Sequence, residues 1–206
     1  MVATDGHRLA HVERNGEKFE GVSGEMKTLV PKKAMDELRS LVDSAGSDVE
    51  TIEFAKDEST LFFRIGPRLL TSRQLTGQFP NYEAVLPKDN SKSILLHGDD
   101  LGSAIARVAQ FADERSRAVR LKLENGELKL SASSTETGES EDSIETDYNG
   151  ETLTIGFNAQ YITDFLKAAG ASDVRLELKD SQSAGQLRPA ESEDYKYRYI
   201  VMPMRI

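Results

Sequence analysis

Residues 158–178 read NAQYITDFLKAAGASDVRLEL, and the change of period inside this stretch decides the fold. Tyr161, Ile162, Phe165 and Leu166 recur at the spacing of one helix face. Asn158 precedes them as an N-cap, a residue whose side-chain oxygen accepts from the free N–H groups of the first turn, and Gly170 stands where a C-terminal cap belongs. Past Gly170 the pattern switches: Val174, Leu176 and Leu178 alternate with Arg175 and Glu177, the period of a strand with one buried face. A short one-faced helix followed by such a strand predicts an α+β arrangement in which the helix covers a sheet.

The same succession occurs twice more. Leu101, Ile105, Val108 and Ala112 form a second helical stripe, followed by alternating Val119, Leu121 and Leu123. Asn125-Gly126 marks a two-residue hairpin turn, and the return strand carries Leu128, Leu130 and Ala132. After Val30-Pro31, Met35, Leu38, Leu41 and Val42 form another stripe that stops near Gly46, followed by Ile52 and Phe54, then Leu61 and Phe63. The helices begin near residues 32, 99 and 158, an internal repeat of roughly sixty residues. The second and third units are expected to pair into one domain. The stretch at 87–92, Pro-Lys-Asp-Asn-Ser-Lys, predicts a boundary between domains at 1–88 and 89–206. Residues 1–12 read as the end of a strand and the turn after it, as though half of an earlier domain were cut away.

With 206 residues, 38% hydrophobic and 30% charged, the chain can bury a core. It has no cysteine, which excludes a disulfide framework, a thiolate metal site and a cysteine nucleophile. No apolar run approaches the ~20 residues of a membrane span, and the opening MVATDGHRLA has no signal-peptide character, so a cytoplasmic protein without membrane partners is expected. The net charge of −9 is concentrated: between Glu124 and Glu151 nine carboxylates face the single Lys129. A local basic face is therefore compatible with the total, but tight holding of nucleic acid by charge alone is not.

Nothing in the sequence matches a nucleophile elbow, a phosphate loop or a metalloprotease motif, and no cofactor is implied. His7 and His11 are four apart with Asp5 nearby, but Gly6 favours a turn and strand over a metal-binding helix. A small α+β enzyme using the acidic residues and His7 is the alternative that the residues leave open. Two segments stand out: Thr4 to Ala10, a polar glycine-containing turn running into an apolar strand, and Tyr199 to Ile206, YIVMPMRI. Pro203 is expected to interrupt the ladder and free the tail, leaving Met202 and Met204 beside Ile200 and Val201 as material for an adaptable apolar groove.

VATDGHRLA at 2–10, VPKKAMDEL at 30–38, GQFPNYEAVLPK at 77–88, IGFNAQYITDFL at 155–166 and the terminal YIVMPMRI together resemble the bacterial DNA polymerase III beta subunit, the sliding clamp. The resemblance implies repeated βαβββ units and a ring-shaped processivity factor that encircles duplex DNA and has no catalytic activity. Its partners would be DNA polymerase III subunits, the clamp loader and other clamp-binding proteins, each inserting a linear peptide into a cleft. By that resemblance Thr4, Gly6, His7, Arg8 and Leu9 form one wall, Pro80 and Val85 another, and Ile200, Val201, Met202, Pro203, Met204 and Arg205 a third. Asn158 and Tyr161 match a second subsite, while Ala184 stands where relatives can offer a hydroxyl. Lys32, Lys33 and Arg107 match positions that face DNA, held weakly and without sequence preference. The family has three similar domains, so the chain is expected to lack the first and the leading half of the second, as a piece of a clamp or a nonfunctional remnant. Ring closure would use Phe111 and the acidic Glu136, Glu139, Glu141 and Asp142. A homodimer through the incomplete domain, residues 24–76, is a further expectation.

Overall fold

The computed structural model describes residues 1–14, 26–46, 50–170, 172–191 and 195–205. Two compact units are present, a larger one of Met1–Glu17 with Glu83–Ile206 and a smaller one of Lys18–Tyr82. The first elements, β1 (Val2–Thr4) and β2 (Arg8–Glu13), form an antiparallel hairpin with Thr4 opposite Leu9.

The smaller unit contains α1 (Lys32–Ala45) and the strands β3 (Glu53–Lys56), β4 (Thr60–Ile65) and β5 (Arg68–Arg73), paired antiparallel in that order. Pro31 holds the extended conformation before the first turn of α1, where its missing N–H costs no helical bond. Leu38, Leu61, Phe63 and Ile65 make the core, with Met35, Leu41 and Leu70 packed against it. Two sequence expectations change here. Val42 is exposed, because α1 turns Ala34 and Leu38 inward instead. All of β3 is exposed, since it is an edge strand, although the Phe54 ring still lies 5.0 Å from that of Phe63.

The larger unit continues with β6 (Lys92–His97), α2 (Gly98–Val108), β7 (Ala118–Glu124), β8 (Glu127–Ser134), β9 (Gly138–Glu145), β10 (Leu153–Asn158), α3 (Ala159–Ala169), β11 (Asp173–Leu178), β12 (Gly185–Pro189) and β13 (Lys196–Val201). These form two βαβββ repeats, and their first strands are exchanged. Strand β6 pairs with β11 of the second repeat, and β10 pairs with β7 of the first. The resulting sheets are antiparallel, with orders β1-β2-β13-β12-β11-β6 and β10-β7-β8-β9. Each repeat therefore completes the other's sheet, and neither can satisfy its edge strands alone.

One core joins both sheets and both helices. Leu101, Ile105 and Val108 of α2, Ile162 and Phe165 of α3, and the inward rows of β7, β8, β10 and β11 are fully or almost fully buried. The helices α2 and α3 meet at Gly102, where an added Cβ would stand 3.5 Å from Leu166 Cδ1. The predicted second stripe ends earlier than expected: after Val108 the chain tightens into a 3-10 turn, and Ala112 is extended though still packed on the core. The predicted hairpin turn holds, with Gly126 at φ +83°, a conformation that a side chain would strain.

The tail is not free. Beyond β13 the Met202 N–H donates to the His7 carbonyl at 2.9 Å, and the Met204 N–H donates to the Gly156 carbonyl at 2.8 Å. Pro203, which has no N–H to offer, falls between two residues that both find partners.

Candidate functional site

The turn between β1 and β2 is held by its own side chains. Thr4 Oγ1 donates to the Arg8 carbonyl at 2.8 Å and accepts from Gly6 N–H at 3.2 Å. Asp5 Oδ1 accepts from the backbone N–H groups of His7 and Arg8, both at 3.0 Å. Gly6 takes φ +87°, which the tight return requires and which glycine adopts without strain.

Arg8 ties this turn to the second helix of the core. Its Nε lies 3.0 Å from Asp5 Oδ2, and its Nη1 donates to Asp164 Oδ2 at 2.6 Å and to the Tyr199 hydroxyl at 3.0 Å. The guanidinium carbon stands 4.4 Å from the centre of the Tyr161 ring, a cation–π placement. Gln160 Nε2 donates to the other Asp164 oxygen at 2.8 Å. Burial by itself would raise the Asp164 carboxyl, but donation by Arg8 and Gln160 outweighs it and holds the group below its ordinary value. Asp5 behaves likewise: burial opposes ionisation, but the N–H donors of His7 and Arg8 prevail. For Tyr199 burial wins over the stabilising Arg8 contact, and its hydroxyl is pushed up.

Asn158 does more than was read from it. Its Oδ1 accepts from Gln160 N–H at 2.9 Å, the expected cap, while its Nδ2 donates to the Ser116 carbonyl at 3.1 Å and fastens the loop before β7 to the start of α3. Tyr161 is thus placed from below by the cap and from above by Arg8.

Leu9 and Ile200 are directly opposite each other on β2 and β13, on the sheet face turned away from the main core, and both are buried. Val201 faces the core, and Met202 is 42% exposed. On the same outer face Glu177 accepts from Gln186 Nε2 and from Arg188 Nε, and Gln186 Oε1 accepts from Arg198 Nε at 2.7 Å. Arg198 then reaches the Pro87 carbonyl at 3.1 Å, anchoring the segment that carries the exposed Val85. Residues 87–92 are fastened further by Asn90, whose amide donates to the carbonyls of Glu177 and Ala184, and by the Asp89–Lys179 pair.

The structure therefore brings together Thr4, Gly6, His7, Arg8, Leu9, Asn158, Tyr161, Ile200, Val201 and the tail to Arg205 within the larger unit. Pro80 is exposed and belongs to the smaller unit. Of the basic residues singled out, Lys32 is paired with Asp36 at 2.7 Å, Arg107 with Asp142 at 2.6 Å, and Lys33 is exposed with no ion pair among the described residues. Glu139, Glu141 and Glu145 are exposed along the edge strand β9, and Phe111 is fixed by a bond from Thr137 Oγ1 to its carbonyl. His7 is in the turn and His11 on β2, and no group of three metal-binding side chains gathers among the described residues. Sequence reasoning missed Asp164, Gln160 and Arg198, and it marked Tyr199 as the start of the C-terminal segment without seeing its bond to Arg8. Asp164 shares a helix face with Gln160 and Tyr161, a faint signal, but its partner Arg8 is far away in the chain.

Two interlocked βαβββ repeats, with antiparallel sheets covering paired helices, define a clamp-type α+β protein. Residues 83–205 match the family model for the C-terminal domain of the DNA polymerase III beta subunit, and residues 1–81 match the model for the central domain of the same family. The chain belongs to the DNA polymerase III beta subunit family. It is 36% identical over its whole length to the beta sliding clamps of Caulobacter vibrioides and Proteus mirabilis, of which it covers 53% and 54%. The crystal structure of a DNA polymerase sliding clamp from Pseudomonas aeruginosa with ligand superposes with a TM-score of 0.90 at 35% identity, covering all of this chain and 54% of that one. A sliding clamp from Bartonella birtlesii bound to griselimycin gives 0.90 at 32% identity, with the same coverage. The chain thus spans about half the length of the relatives it matches.

Proposed function

We propose that this chain supplies the peptide-binding part of a DNA sliding clamp, a processivity factor without catalysis of its own. The reading rests on one observation above others: the β1–β2 turn, the start of α3 and the hydrogen-bonded tail converge on a wall of the larger unit, in a chain that matches two clamp domains along its full length. Leu9, Ile200 and Met202 would receive aliphatic or aromatic anchors, Val85 would add apolar border, and Asn158, Tyr161, His7 and Arg205 would orient the peptide. Partners would be polymerase III subunits, the clamp loader and other clamp-binding proteins. Duplex DNA would be met weakly through Lys33 and, where their carboxylate partners yield, Lys32 and Arg107. Residues 1–88 and 89–206 would correspond to parts of successive clamp domains, working in the cytoplasm. No helix among the described residues is long and apolar enough to cross a membrane.

Titration with a peptide containing consecutive Leu-Phe, followed by NMR of Tyr199 and its neighbours, tests the groove. A saturable shift is expected, and its absence would remove the reading in favour of an enzyme or remnant.

Association of two copies through the smaller unit is a second reading, favoured by the exposure of Phe54 and Leu69 on its strands and of Ile52 just before them. Phe63 is a core residue, so a charge there would unfold the unit. Phe54→Lys is the suitable probe, and light scattering over a concentration series should show the dimer lost.

A further inference from the structure

Three arginines border the groove wall on one side, and none has an acidic partner among the described residues. Gly156 of β10 has Arg120 of β7 as its register partner on one flank and Met204 bridged to it on the other. Glycine puts no side chain between them, so Arg120 and the apolar Met204 are neighbours on that face, with backbones about 10 Å apart across two strand spacings. Arg205 follows Met204 directly. Arg117 lies at the entrance to β7, where its carbonyl accepts from Ala159 N–H at 2.9 Å and its own N–H donates to the Asp113 carbonyl at 2.8 Å. Its φ of +49° is the one positive value at a non-glycine among the described residues, so its backbone is held, not merely tolerated, beside the Asn158 cap.

All three are exposed and, among the described residues, form no ion pair. Arg8, Arg107, Arg188 and Lys129 each meet a carboxylate. The acids closest in sequence do not serve the three: Asp113 Oδ1 accepts from Arg115 and Ser116 N–H, and Glu124 pairs with Lys122 and Lys129. Glu114 is the remaining acid in that turn and is exposed. In a chain of net charge −9, this border is a local reversal of sign.

We propose that Arg117, Arg120 and Arg205 form a basic rim that selects partner peptides with acidic residues beside their apolar anchors. The inference rests on the groove reading above and names the chemistry of its partner. Exposed charges of this kind contribute modestly to affinity but discriminate strongly against a like-charged flank. Three charges are too few to hold a nucleic acid at physiological salt, and the placement of Arg120 and Arg205 beside Met204 suits a ligand that is apolar on one side and acidic on the next.

The test is calorimetric titration of the full chain with peptides sharing one Leu-Phe core and flanked, at each end in turn, by Glu-Glu, Gln-Gln or Lys-Lys. At one end the Glu-Glu peptide should bind about five-fold tighter than Gln-Gln at low salt, and Lys-Lys weaker than both. The advantage should vanish at about 0.5 M salt and fall by at least half in the Arg117→Gln/Arg120→Gln variant, which keeps Arg205 and whose affinity for the Gln-Gln peptide stays at the parent value. Equal affinities for all three flanks, or an acidic advantage undiminished in the variant, would overturn the rim while leaving the groove intact. Failure of even the Gln-Gln peptide to bind would remove the groove and the rim together. A short single-stranded oligonucleotide that bound more tightly than the acidic peptide, and was released by the variant, would overturn the proposal by assigning the rim to phosphate.

Discussion

The ring of Phe157 on β10 occupies the space that a β-carbon on Gly185 of β12 would need. A Cβ at 185 would stand 2.7 Å from Phe157 Cζ and 3.1 Å from Leu178 Cδ2. Phe157 belongs to one sheet of the larger unit and Gly185 to the other, and the contact is between a rigid ring and backbone. Gly185→Ala should therefore destabilise the larger unit by about 2 kcal/mol, and Phe157→Leu in the same chain should recover part of the loss. Urea denaturation of the two variants checks it, with an unchanged midpoint for Gly185→Ala counting against the packing described.

Asp164→Asn keeps an acceptor for Arg8 but removes the charge. Because Asp164 is more than a third exposed, the stability cost should stay below about 1 kcal/mol, while peptide affinity falls further through the misplaced Tyr161 and turn. A double-mutant cycle with Arg8→Lys, read as peptide affinity, should be strongly non-additive.

Both Asp5 and Asp164 have folded-state values below the ordinary carboxylate range. Between the lowered and the ordinary value the unfolded chain binds more protons, so stability rises with pH there. The contribution is complete above the ordinary range and is lost as pH falls through the lowered values. Acid denaturation should begin at about pH 4, and Asp164→Asn should show a shallower acid limb than the parent.

Deleting residues 202–206 removes the Met202 and Met204 backbone bonds and one apolar wall but leaves β13 paired on both sides. Peptide binding should be lost with little change in melting temperature. Micromolar affinity in the shortened chain would show that the tail is not part of the groove.

Linear duplex DNA should bind poorly at physiological salt, with a shallow salt slope and no base preference, because two of the three basic candidates are already paired. Fluorescence anisotropy over a salt series measures this, and Lys33→Ala should flatten the slope further.

The helices were legible because each carries a stripe at its own period, and the Asn158 cap, the Gly170 stop and the Asn125-Gly126 turn are local signals. The exchange of β6 and β10 between repeats left no local trace, since alternation tells which face of a strand is buried but not which strand lies beside it. The tail was misread for the same reason: Pro203 argues against a ladder locally, but the acceptors of its neighbours are supplied by His7 and Gly156. The apolar and polar walls of the candidate groove could be carried over by resemblance. The bonds from Arg8 to Asp164 and Tyr199 could not, because they join residues at opposite ends of the chain and depend on the finished sheet.

The pairing of β2 with β13 sets Leu9 beside Ile200, so the six-stranded sheet is joined by two strands that lie far apart in the sequence. Until β13 pairs with it, the hairpin of residues 2–13 has its inner edge open, and an unpaired edge invites the wrong neighbour. Contacts so distant along the chain also slow the search for them. The β1–β2 turn and the tail after β13 are therefore brought together only by this pairing, and whatever recognises the two side by side recognises a folded sheet.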